Sequence, residues 1–164
     1  MRLELNINLK ILLSILLLLY PTLDTAYEMN QKEIIDFIFQ NESKENNLPK
    51  DLLKSVCYVE SNNNIKVKSI FDGGSYSYGM CQIKLPTARS VGFIGKYKLL
   101  YQPAINIKYA AKYLSLKLNE YNGDIKKSLT AYNRGSYNKG MSDSNKYVVK
   151  VILALYEYMQ GYMF

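Results

Sequence analysis

A carboxylate stands at position 60 where the helical pattern asks for a hydrophobe. In Leu52-Leu53-Lys54-Ser55-Val56-Cys57-Tyr58-Val59-Glu60, the apolar Leu53, Val56 and Cys57 are followed at the next helical step by Glu60. Steps of three and four put these side chains on one face, the face that turns toward a core. An ionised carboxylate is costly to bury, so the group either finds donors or has its pKa raised. A carboxylic acid with a raised pKa is what general acid catalysis near neutral pH needs. Taken alone, Glu60 reads first as the end of a helix with its side chain in solvent; the rest of the chain moves the reading toward an acid.

The rest of the inventory narrows the chemistry. The chain has no His and no Trp. Ser-His-Asp and Cys-His machinery is therefore excluded, as are His-based metal sites. Two cysteines, Cys57 and Cys81, cannot build a four-thiolate zinc site. Proton transfer falls to Asp, Glu, Lys, Tyr or Cys, and no cofactor is expected.

Stepping outward, the elements that would position Glu60 are mostly helices. Ile34, Ile35, Phe37, Ile38 and Phe39 mark a first short helix, interrupted by polar residues 41–47. Pro49 suits the first turn of a second, running to Glu60. Residues 61–79, with Asn62-Asn63-Asn64 and Asp72-Gly73-Gly74, read as loop and turn with short strands near 65–70 and 75–78. Pro86-Thr87-Ala88 opens a helical turn that Gly92 and Gly95 break. A helix from Pro103 carries Ile107, Ala111, Leu114 and Leu118 and ends at Tyr121-Asn122-Gly123. Another spans about 124–133. The last, about 146–159, presents Val148, Val149, Ile152, Leu153 and Tyr156 as a broad apolar face. The expected fold class is α+β, mostly α, with a small loop or β region after the Glu60 helix.

Residues 1–26 read as an export signal. Arg2 and Lys10 precede the apolar run Ile11–Leu19, with Pro21 and Ala26 after it. That run is short for a membrane span; the competing reading is a retained anchor helix. Residues 27–164 are then one catalytic domain, long enough for a single core. The segment 1–26 holds Arg2 and Lys10 against Glu4 and Asp24, so the net charge of +7 belongs to the remainder. Such a balance favours an anionic partner. The basic residues are scattered and form no nucleic-acid module, so nucleic acid is not expected.

Three separated fragments carry a family resemblance. Glu60-Ser61-Asn62-Asn63-Asn64-Ile65-Lys66-Val67-Lys68-Ser69 resembles the catalytic-Glu segment of the soluble, Slt-type lytic transglycosylases. Gly79-Met80-Cys81-Gln82-Ile83 with Pro86-Thr87-Ala88 resembles their Gly-Leu-Met-Gln-Ile motif and its sequel. Ala131-Tyr132-Asn133-Arg134-Gly135 is similar to their Ala-Tyr-Asn-x-Gly motif. Pro103, Asn106, Tyr113, Leu114 and Tyr147 also fit, so the resemblance covers about 46–158. It implies a lysozyme-like fold and cleavage of the MurNAc-β-1,4-GlcNAc bond of peptidoglycan. In that family the muramyl 6-hydroxyl closes onto the anomeric carbon, giving a 1,6-anhydro sugar rather than a hydrolysis product.

The resemblance implies a role for each matching residue. Glu60 is the acid, then the base. Ser69 orients its carboxyl; Gln82 meets sugar or tethers its loop; Tyr132 and Asn133 face substrate, the phenol bonding Glu60 or an acetamido group. Tyr147 is a substrate contact or simple packing. The alternative, a hydrolysing muramidase, needs a second carboxylate. Only Asp72 lies between Glu60 and Gln82, beside Gly73-Gly74 in what reads as a surface turn. A third reading is a silent wall-binding module. The chain departs from the family at Cys81 and Lys84, both Met in many members, and in a longer loop between 69 and 79. Cys57 and Cys81 are either a disulfide or two buried thiols. The expected partner is a peptidoglycan glycan strand met by an exported monomer, in the setting of a secretion or conjugation apparatus.

Overall fold

A computed structural model describes residues 31–68, 71, 74–138 and 146–163, with Ile15 alone before them. The chain forms two compact units, residues 1–36 and 37–164. Residues 31–45 are helical; 31–36 fall in the first unit, and the remainder, α1 (37–45), opens the second. This helix runs on through the polar stretch expected to interrupt it, because Asn41, Glu42 and Glu45 can stay in solvent or share local hydrogen bonds there. The export reading of residues 1–26 lies outside the described residues.

Helix α2 (Leu52–Ser61) follows a turn in which the amide of Leu52 bonds the Pro49 carbonyl. It buries Leu52, Leu53, Ser55, Val56 and Cys57. It stops at Asn62, whose left-handed backbone (φ 55°) lets its amide cap the Tyr58 carbonyl. The β region is a hairpin of β1 (Ser77–Tyr78) and β2 (Ile83–Lys84), antiparallel with Ser77 opposite Lys84. Lys68 bridges Tyr78 from the preceding loop. Strand β2 falls inside the Gln-Ile motif; two residues are too few to show an alternating pattern in sequence.

Helix α3 (Leu85–Ser90) carries Pro86 in its first turn, and a 3-10 turn follows at Tyr97–Tyr101. The long α4 (Pro103–Glu120) buries Ile107, Ala110, Ala111 and Leu114 at helical spacing. Helix α5 (Ile125–Arg134) starts at Asp124, whose carboxylate accepts the Lys127 amide at 3.0 Å, a side-chain N-cap. Helix α6 is Lys146–Met159. α2 packs against α6, and α4 against α5. Leu52, Leu53, Met80, Leu100, Ile107, Leu114 and Leu129 fill the core between them.

One expectation is corrected on α6. Val148 is buried, but its buried companions are Val151 and Ala154; Val149, Ile152, Leu153 and Tyr156 are 48, 40, 56 and 59% exposed. The helix is apolar on more than one face, and the small Ala154 marks the face that can come close to α2. Among the described residues no helix is long and apolar enough to cross a membrane.

Candidate active site

Glu60 occupies the penultimate position of α2, one turn beyond Cys57 on the buried face. A disulfide joins Cys57 to Cys81, so the helix that carries Glu60 is covalently tied to the turn between β1 and β2. The Ser61 hydroxyl reinforces the link by donating to the Met80 carbonyl at 2.6 Å. The turn itself is built around Asn106 of α4, which is fully buried. Its amide donates to the carbonyls of Tyr78 (2.8 Å) and Leu100 (2.7 Å), and its oxygen accepts the Cys81 amide (2.8 Å). Gly79 has φ 70°, and a Cβ there would meet the Asn106 amide nitrogen at 2.6 Å. Only glycine fits at that point.

Gln82 closes the turn in a left-handed conformation, φ 47°. Its amide nitrogen donates to the carbonyls of Gly79 (2.9 Å) and Val67 (3.1 Å), so both donors tether the loop. With its donors engaged, the side-chain oxygen is the part of Gln82 that can still accept a hydrogen bond from a ligand.

The three fragments meet in one cleft of ≈ 780 Å³ lined by Glu60, Gln82, Lys84, Tyr113, Tyr132, Asn133 and Arg134, among others. Glu60 also lines a smaller hollow of ≈ 530 Å³ with Lys150, Leu153 and Glu157 of α6. Burial pushes the Glu60 carboxyl up to about 7, partly opposed by a hydrogen bond from Tyr147. That bond, from the Tyr147 phenol to Oε1, is 2.7 Å long. Tyr147 stands in the first turn of α6, so the packing of α6 on α2 brings it to the acid across 87 residues of sequence. Burial raises the phenols of Tyr147 and Tyr132 well above the ordinary tyrosine range, and the nearby Glu60 adds to it. Both therefore stay protonated donors.

Tyr132 does not bond Glu60; it donates to the Cys81 carbonyl at 3.1 Å. Its ring meets that of Tyr113, centroids 5.4 Å apart. Tyr113 is thus a cleft residue that the sequence matched to the family without giving it a role, because core and cleft tyrosines on a helix look alike in sequence. Asn133 lines the cleft and is exposed. Ser69 and Asp72 lie outside the described residues. Among the described residues that line the cleft, Glu60 is the only carboxylate. No cluster of metal-binding side chains occurs among the described residues.

An acid held near neutrality, a phenol that orients it, and polar groups across a groove make an arrangement suited to glycosidic-bond chemistry. Comparisons with known proteins agree with that geometry. The family model described as the transglycosylase SLT domain matches residues 37–152. Protein IpgF of Shigella flexneri is 31% identical over 104 residues, which are 62% of this chain and 67% of that protein. In structure, the chain is similar to an inactive mutant of the lytic transglycosylase Slt from Pseudomonas aeruginosa, with TM-score 0.67 and 20% identity over 77% of this chain. It is also similar to the 70 kDa soluble lytic transglycosylase Slt70 from Escherichia coli, with TM-score 0.65 and 21% identity. The chain spans 24% of the length of each of those two structures, so they establish its lysozyme-like fold.

Proposed function

The chain belongs to the transglycosylase SLT family, and from that premise we propose that it is a peptidoglycan lytic transglycosylase with Glu60 as its acid and base. The observation that carries the reading is a single sheltered carboxylate, held near neutrality in a polar groove without a second carboxylate among the described lining residues. Protonated Glu60 gives its proton to the glycosidic oxygen between MurNAc and GlcNAc as the C1–O bond breaks. The muramyl 6-hydroxyl then bonds to C1, and its proton returns to Glu60. No water is consumed; the products are a free GlcNAc 4-hydroxyl and a 1,6-anhydro-MurNAc end. One residue serves both steps because the nucleophile belongs to the substrate.

Tyr147 orients the carboxyl in this scheme, while Tyr132, Asn133 and Gln82 meet the glycan; Ser69 keeps the role that the family resemblance implies for it. The Cys57–Cys81 disulfide suits an oxidising compartment, which supports export to the periplasm or beyond. The small folded unit suits local opening of the wall for a secretion or conjugation apparatus. Mass spectrometry of digested sacculi tests the reaction. Anhydromuropeptides are expected, and Glu60→Gln is expected to abolish their release while binding persists. Reducing muramyl ends would establish hydrolysis instead, and wall binding without products would leave a silent module. Retained release by Glu60→Gln would remove Glu60 from its assigned role.

A further inference from the structure

We infer that the hollow on the α6 side of Glu60 is a peptide subsite, in which Lys150 takes a carboxylate and Glu157 the free amine of a stem peptide. The inference rests on the peptidoglycan reading above and adds a substrate class to it. Glu60 lines two hollows: the cleft of ≈ 780 Å³ that gathers the three motif fragments, and a second of ≈ 530 Å³ between α2 and α6. The proton transfers proposed for Glu60 draw only on the first.

The second hollow has a built charge order. Lys150 and Glu157 lie seven positions apart on α6, so two helical turns, about 10 Å of axis, separate them on nearly the same face. Both are exposed, and among the described residues no ion pair joins them. Leu153 and Ala154 stand at the helical steps between them, and Tyr58 of α2 lines the same hollow. A cation at one end, an anion at the other and an apolar stretch between them match a ligand with the opposite order of charges. About three extended peptide residues span that distance.

The chemistry of the strand puts such a peptide at this place. Glu60 has to reach the oxygen on muramyl C1, and the lactyl ether that carries the stem leaves O3 of the same ring. The stem therefore departs close to the acid, and the second hollow begins at that carboxyl. A stem peptide whose diamino acid keeps its amine carries both an ammonium and a terminal carboxylate. A further sugar ring, by contrast, is neutral and draws on neither Lys150 nor Glu157. Exposed ion pairs are individually weak, so two of them confer a preference among strands rather than tight binding.

The test uses the full chain on three strands: stems with amine and carboxylates free, the same stems with the amine acetylated, and the same stems with the carboxylates amidated. The readout is kcat/KM for release of anhydro ends by the wild type, Lys150→Gln, Glu157→Gln and the double variant. The wild type is expected to prefer the free stem about threefold over either blocked one, the worth of an exposed ion pair. Glu157→Gln should lose the discrimination against acetylation and keep that against amidation; Lys150→Gln should do the reverse. The double variant should treat all three strands alike. Each ratio is internal to one protein, so partial unfolding cannot mimic this matched loss. A wild type indifferent to both blocks overturns the subsite while the activity stands, as do variants whose ratios fail to follow this pattern. Absence of anhydro ends from every strand overturns the parent reading and this inference with it.

Discussion

At position 60 burial keeps a carboxyl protonated toward neutral pH at a cost to stability. The carboxyl is raised from 4.5 to about 7 by desolvation, so the folded state holds its proton more tightly than the unfolded chain. Linkage then makes folding lose stability as pH rises: the penalty is absent below 4.5, accumulates up to about 7, and is complete above it. Its full size is about 3 kcal/mol. Glu60→Gln should therefore match the wild type in acid and exceed it by roughly that amount above pH 7, as denaturant midpoints at the two ends would show. Tyr147→Phe removes the 2.7 Å bond that favours the ionised carboxylate, so the Glu60 pKa should climb further. The alkaline limb of the rate profile should move to higher pH, while the rate drops about ten- to hundredfold, the worth of a hydrogen bond to a charged group. An unshifted limb would remove Tyr147 from contact with the acid. Glu60 was legible in sequence because a charge broke an apolar period. Tyr147 was not separable from packing, since its partner lies 87 residues away.

The hairpin turn is the element on which the site depends. It is held from three sides: by the Cys57–Cys81 disulfide, by Ser61, and by the buried Asn106. Breaking the disulfide, whose cysteines are 24 positions apart, should lower stability by about 3 kcal/mol. It should also lower activity more than fold loss alone explains, because Gln82 sits next to Cys81. Thermal melts and rates of Cys57→Ala/Cys81→Ala, measured well below its melting point, check both; full activity there would show that Ser61 and Asn106 suffice to hold the turn. The sequence left the cysteines open between disulfide and thiols, because pairing needs a distance that spacing does not supply. Helices α4 to α6 were readable within a residue or so, since each carries its apolar stripe for two turns or more. Strand β2 and the 3-10 turn at Tyr97–Tyr101 were too short for any period to register.

Over the whole molecule, a charge of +7 faces what the proposed function makes an anionic polymer. Binding to intact sacculi should be strong at low salt and weaken as the screening length shrinks from roughly 30 Å at 0.01 M to roughly 3 Å at 1 M. A pelleting assay across that range checks it; binding indifferent to salt would assign the contact to sugar stacking and hydrogen bonds instead. The α6 correction belongs to this scale as well. Which apolar face of α6 is covered depends on where α2 lies against it, with Val151 and Ala154 beneath and Leu153 and Tyr156 left in solvent.

The sequence by itself determined the class of chemistry and the fold. With no His, the candidates for proton transfer narrowed to Asp, Glu, Lys, Tyr and Cys, and a helical period with one misplaced acid, followed by two short motifs, pointed to one family. Only the tertiary structure decided who touches whom. It brought Tyr147 to Glu60, turned Tyr132 to the Cys81 carbonyl, joined the two cysteines, and set Lys84 and Arg134 in one groove. The physical reason is that periodicity reports which face of an element is buried, whereas contacts depend on how separate elements pack, and packing is chosen by shape and volume across the whole core.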